Sequence, residues 1–449
     1  MSERRKILEC FEEQKDFLSG TVAEGIEKNR KGDASITVTD TDGKPIADAK
    51  LHIRQKSHEY RFGANLFLLD ELETPEKNEA YKKYFADVFN MATLPFYWST
   101  LEPERGCPRY AKDSPKIYRR PAPDLCIEFC EKHGIEPREH ALAYENFFPT
   151  WLYNAGIDEI KRELERHCAE IAERYADKIR TIEVTNEMEW MRGKTAFYDE
   201  PDYIEWCFRL AEKYFPSNQL GINEHTGLAW GDRCRATDKY YAYIEANMLR
   251  GARIDAIGMQ YHLFNRAEKE YESTRRTLNP ISLYKHMDLY ARFGKPLQIT
   301  EITVPAYSNN DEDEAIQAEI IEKLYTIWFS HPMTEQIIYW NTVDGYAHVS
   351  SQVPVKIRES QGNMSLGENY YYGALLRYDM TPKPAYHTVR NLIHHVWHTD
   401  VQTVSDENGK ASFRGFYGTY DVEITANGKT VPQTLTLSAK NDRSFTLQV

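Results

Sequence analysis

TIEVTNEMEW, Thr181–Trp190, is an apolar, β-branched run that ends in an amide and a carboxylate. Ile182 and Val184 suit a buried strand. Asn186 and Glu187 do not, because polar groups buried without partners cost free energy. A second run, LQITEITV (Leu297–Val304), places Glu301 in the same way. Two carboxylates on strand ends are the minimum equipment for retaining glycoside hydrolysis, one a general acid with raised pKa and the other a nucleophile kept ionised. A lone strand-end Glu reads equally as a salt-bridged rim carboxylate; the pair, with Asn186 beside it, argues for chemistry. Retention predicts carboxyl groups ~5–5.5 Å apart, whereas inversion needs more than ~6.5 Å.

Around these two runs, strand-length apolar segments alternate with helical patterns eight times. The strand candidates cover 61–67, 88–98, 137–144, 179–187, 219–225, 254–262, 296–304 and 336–344. Between them, Ile157–Lys178 carries apolar residues at Ile160, Leu164, Cys168 and Ile171, the spacing of a helix face. Eight strand-then-helix units predict a closed parallel (β/α)8 barrel, in which Glu187 and Glu301 lie on strands four and seven. Polar residues collect at the C-terminal strand ends: His140, Asn186, Glu187, Asn223, Glu224, His225, Gln260, His262, Glu301 and Asp344. That face is where such barrels place their chemistry.

The flanks have another rhythm. Residues 1–33 read as a charged helical arm. Residues 34–57 read as two alternating strands joined by a hairpin-type DGKP connection, and 398–449 as short antiparallel strands with Asn-Gly turns. A two-stranded ribbon is marginal alone. The ribbon and the C-terminal strands are therefore expected to form one small β-sandwich, with the barrel (58–397) inserted between its parts.

A net charge of −13 over 449 residues argues against nucleic acid as a partner. No apolar run reaches the ~20 residues of a membrane span. The start, MSERRKILECFEEQKDF, lacks a signal-peptide pattern, so a cytoplasmic location is expected. The seven cysteines are odd in number and read as free thiols. Neither Cys126 and Cys130 nor the histidines 394, 395 and 398 complete a zinc set, so no metal is expected. The oligomeric state stays open.

The chain resembles the family-10 glycoside hydrolases, the xylanase family of the large retaining (β/α)8 clan, from Phe62 to about Trp397. VTNE (Val184–Glu187) is similar to the family's acid/base motif, ITE (Ile299–Glu301) to its nucleophile motif and GMQYHL (Gly258–Leu263) to its G-x-Q-x-H-L strand. Arg138 and His140 match the third strand, and Glu102–Gly106, Trp340 and Lys383–Tyr386 match outer landmarks. The resemblance implies Glu187 as acid/base and Glu301 as nucleophile. It also implies Gln260 and His262 near the nucleophile and His140 on the sugar in the cleavage subsite. Double displacement on xylan or xylo-oligosaccharides follows, with no cofactor. The alternatives are another β-glycan or short oligosaccharide, or carbohydrate binding without catalysis.

Departures from the family pattern fall on the glycone side. The second strand usually carries E-N-E-M-K-W, whose Asn and Lys hold sugars; here the stretch is ATLPFYW and only Trp98 survives. The third strand runs on to Tyr144-Glu145 instead of Trp-His. Glu145 either binds sugar hydroxyls or pairs with an arginine such as Arg138. Ala347 and His348 stand near a missing second tryptophan. Sugar faces stack on aromatic rings, which makes Tyr97, Trp98, Tyr144, Trp151, Tyr261 and Trp340 candidate platforms. Asn223 and His225, at the end of strand five, complete the candidate binding set.

Overall fold

Two strands, β1 (Lys31–Thr39) and β2 (Lys50–His58), precede the barrel in a computed structural model that describes residues 4–189, 193–231, 233–350 and 361–449. Trp190 and the first three residues of the arm lie outside these segments. Eight parallel strands follow: β3 (Arg61–Asn65), β4 (Met91–Pro95), β5 (Glu136–His140), β6 (Thr181–Asn186), β7 (Gln219–Glu224), β8 (Ala256–His262), β9 (Leu297–Thr303) and β10 (Thr334–Tyr339). They pair in sequence order, and β10 closes on β3. Every residue of β6 and β9 is buried, as befits strands with packed side chains on the barrel's inside and helices outside.

The helices bury one stripe each. Ile157–Tyr175 turns Ile160, Leu164, Cys168, Ile171 and Tyr175 inward. Asp311–Ser330 starts with four acids in its first turn, where the helix dipole favours them, and Asn310 caps it by accepting from the Asp313 N–H. The N-terminal arm packs on the barrel: the Arg4 guanidinium reaches Glu270 at 3.0 Å and Asp313 at 2.7 Å. Among the described residues, no helix is long and apolar enough to cross a membrane. All seven cysteines are unpaired.

The remaining strands are β11 (Asp400–Val404), β12 (Lys410–Phe416), β13 (Gly418–Ala426), β14 (Lys429–Leu437) and β15 (Ser444–Gln448). They make a three-stranded sheet, β12-β1-β15, and a four-stranded sheet, β11-β2-β13-β14. The expected β1–β2 hairpin does not form; the two strands sit in opposite sheets. Each thereby buries its apolar side, Ala34, Ile36 and Val38 on β1 and Leu51 and Ile53 on β2, against Val422, Ile424 and Leu437. A hairpin would put both apolar rows on one sheet and leave no second layer to cover them.

The second barrel strand also differs from expectation. It ends at Pro95, and Trp98 opens a short helix, Trp98–Leu101. Pro95 supplies no N–H to continue the ladder. This one change of direction decides which aromatic ring faces the barrel mouth.

Candidate active site

Glu187 and Glu301 meet at the C-terminal mouth through a chain of amides. Glu301 lies within β9 and is 4% exposed. Its Oε1 accepts from Asn223 Nδ2 at 3.0 Å, and its Oε2 lies 3.2 Å from His262 Nε2. The same Asn223 nitrogen reaches Asn186 Oδ1 at 3.0 Å and Glu183 Oε1 at 3.3 Å, while Thr300 Oγ1 donates to Asn223 Oδ1 at 2.7 Å. Gln260 Nε2 donates to Asn186 Oδ1 at 3.2 Å and to Glu187 Oε1 at 3.1 Å. Tyr144 donates its hydroxyl to Glu187 Oε2 at 2.5 Å. Glu187 itself has φ +49°, a left-handed backbone that a side chain rarely adopts outside functional turns. It is held there by Glu224, whose buried carboxyl takes N–H bonds from His225, Met188 and Glu189.

Glu183 is a third carboxylate that the sequence reading missed. It pairs with the buried Arg138 guanidinium and accepts from His140 Nδ1 at 2.7 Å. His140 Nε2 meets the Tyr97 hydroxyl at 2.9 Å and lies 4.0 Å from Glu301 Oε1. Burial opposes the charge on Glu183, but Arg138 and His140 outweigh it and hold its pKa below the usual value. The signal was present, since a carboxylate in the middle of a fully buried strand needs a partner. Strict alternation would put Glu183 and Asn186 on opposite faces. A register shift between Glu183 and Thr185 brings both onto Asn223.

Burial raises the Glu301 pKa to about 8; His140 and Arg138 oppose this, and Glu183 and Glu187 add to it. Burial also lifts Glu224 to about 8 and drives His262 down to about 4, so His262 faces Glu301 as a neutral ring. Ligand atoms of His140, Glu183 and Glu301 lie within 4.8 Å of one another. Arg138, Tyr97, Asn223 and His262 already engage this set, which works as a hydrogen-bond relay.

The other candidate residues divide. Trp340 lines the mouth with its ring edge-on to His140 (5.5 Å) and 6.2 Å from His262. Trp98 is a correction: it is buried, donates to Glu102 at 2.9 Å and stacks on His167 at 4.4 Å, away from the site. Tyr97 faces the mouth in its place, in one cluster with Phe67, Ala141, Tyr144 and Trp340. Tyr261 points outward to the helices and is core. Glu145 does not pair with Arg138, which Glu183 occupies; it accepts the N–H groups of Gly193 and Lys194 at 3.1 and 2.8 Å. His225 caps the short helix Thr226–Ala229 through Gly227 N. His394 and His398 each meet a backbone carbonyl, of Asp87 and Gln55.

Comparisons with known proteins agree on this frame. The anti-sigma-I factor RsgI6 of Acetivibrio thermocellus is 25% identical over 90% of this chain and 46% of its own length. An Arabidopsis thaliana protein named endo-1,4-beta-xylanase 1 is 23% identical over 94% of this chain and 39% of its own length. The chain thus spans less than half of these curated relatives. A Dictyoglomus thermophilum beta-1,4-xylanase is 24% identical over 62% of this chain and 84% of its own length. Xylanase 10B from Thermotoga petrophila, solved with xylobiose, shares the fold with a TM-score of 0.58 at 21% identity, covering 75% of this chain and 94% of that one. The profile of Glycosyl hydrolase family 10 matches residues 59–392, and the chain belongs to that family.

Proposed function

We propose that this protein is a retaining, endo-acting β-glycoside hydrolase that cleaves β-1,4-xylan or xylo-oligosaccharides by double displacement. The observation that carries the reading is the continuous amide chain Glu187–Gln260–Asn186–Asn223–Glu301 across the barrel mouth. Glu301 attacks the anomeric carbon while Glu187 protonates the departing glycosidic oxygen. Glu187 then takes a proton from water, which displaces Glu301 and restores the β configuration. Asn223 and His262 orient the two Glu301 oxygens, and Tyr144 and Gln260 orient those of Glu187. Names of relatives such as the Dictyoglomus beta-1,4-xylanase support the sugar.

The test uses xylo-oligosaccharides and aryl β-xylobiosides. Glu301→Ala should abolish turnover of both, by ~10⁴-fold or more. Glu187→Ala should cripple oligosaccharide cleavage but spare the first step on a nitrophenyl glycoside, whose leaving group needs no proton. Proton NMR of the first-formed product should show the β-anomer. A first-formed α-anomer, or a flat response to a panel of β-glycans, would overturn the reading.

A further inference from the structure

Two arginines enter the mouth from the loop that follows β4. Arg119 adopts φ +60°, and both guanidiniums lie over the Phe67 ring, at 5.5 and 5.2 Å from its centre. Arg119 is spent on the fold: its guanidinium donates to the Tyr346 carbonyl and to Asn341 Oδ1 at 3.0 Å. Arg120 is not. It is 7% exposed, and its charge lies 4.3 Å from the centre of the Tyr97 ring, 5.1 Å from Phe147 and 5.2 Å from Phe67. Its one side-chain hydrogen bond goes to the Arg119 carbonyl at 2.8 Å, and its buried Nε has no partner. Among the described residues no carboxylate is ion-paired with it; burial raises the Glu71 pKa to about 7, and Lys116, Arg109 and Arg120 oppose this through their charge. Burial lowers its pKa to about 10, and the phenols of Tyr97, Tyr118 and Tyr144 oppose this.

A buried guanidinium without a carboxylate is costly unless something else supplies the charge. Tyr97, under Arg120, is hydrogen-bonded to His140, which lies 4.0 Å from Glu301. The guanidinium therefore rests on the ring whose hydroxyl leads through His140 toward Glu301, in the loop that follows β4. A flat guanidinium on aromatic faces matches a flat, two-oxygen anion. Resting on the hydrolase reading above, we propose that Arg120 is a specificity residue for a sugar carboxylate, so that this barrel selects substrates carrying a uronic acid on the glycone side. The uronate is either a branch on a xylose residue or the ring in the subsite itself.

The test compares xylotriose carrying a glucuronosyl branch with the same oligosaccharide after reduction of its carboxyl to an alcohol. Wild type should favour the acid in kcat/KM by at least about tenfold, the scale of one charge-assisted bidentate contact. Arg120→Gln should bring that ratio to near one, and Arg120→Lys should leave it between the two. The parallel pair 4-nitrophenyl β-glucuronide and β-xyloside separates a uronate ring from a branch. If wild type shows no preference, or if Arg120→Gln lowers both rates and leaves the ratio intact, the proposal fails. If nothing is cleaved, the hydrolase reading fails and calorimetry with the two oligosaccharides still decides. Tighter binding of the acid that Arg120→Gln removes supports the pocket, and equal binding overturns it. The wild-type comparison stands should Arg120→Gln not fold.

Discussion

Glu301 stores free energy that the fold does not recover. Its carboxyl has a pKa of about 8 in the folded chain against 4.5 for the free side chain. The folded state therefore binds more protons than the unfolded state between those values. The sign follows: stability falls as pH rises from about 4.5 through 8, because ionisation must occur in a buried site. Glu301→Gln keeps the shape and removes that cost. It should raise Tm by ~2–5 °C at pH 8 and by much less at pH 5, as read by calorimetry. An equal rise at both pH values would sink this account. With Glu301 as the proposed nucleophile, the same shift predicts that the acid limb of kcat/KM lies above the ordinary glutamate range. At this scale, the sequence revealed residues whose polarity clashes with a buried strand, such as Asn186, Asn223 and Gln260. It could not rank Tyr97 against Trp98, because adjacent residues point in opposite directions and only the end of β4 at Pro95 decides which turns inward. Nor could it tell that Glu145 would serve the backbone of the 193–194 loop.

Between elements, the site depends on how closely β7 and β8 approach. Asn223 pairs in register with Gly258. A Cβ at Gly258 would meet Asn223 Oδ1 at 2.5 Å and the Ile222 carbonyl at 2.9 Å. Gly258→Ala should therefore push aside the amide that links Glu187 to Glu301. The expected outcome is a ~10–100-fold loss in kcat/KM with the far-ultraviolet circular dichroism unchanged. Full activity in this variant would show that Asn223 need not sit where it does. The register shift in β6 works in the opposite direction, adding a contact instead of making room. The existence and order of all eight strands were legible from their apolar runs. The shift was not, because a bulge is set by pairing with the neighbouring strand and leaves the composition unchanged.

For the molecule as a whole, the two sheets outside the barrel are completed by strands from both ends of the chain. β1 pairs with β12 and β15, and β2 with β11 and β13. A chain starting at residue 59 loses a central strand from each sheet. Its amides in β12–β15 should lose protection in hydrogen exchange while those of β6–β9 keep theirs; full protection throughout would refute the interdependence. The sequence by itself determined the eightfold strand–helix alternation and the two strand-end carboxylates, because burial selects residue types at a period read along one chain. It also pointed to the need of the flanking strands for each other. Tertiary structure alone decided that β1 and β2 face each other across a sandwich and that Glu183 supports His140. It also decided that burial drives the Glu301 carboxyl up, and that Arg120 lies on the Tyr97 ring without a carboxylate partner among the described residues. Each of these is a relation between residues far apart in the chain, fixed by which surfaces can be buried together, and local pattern carries no record of it.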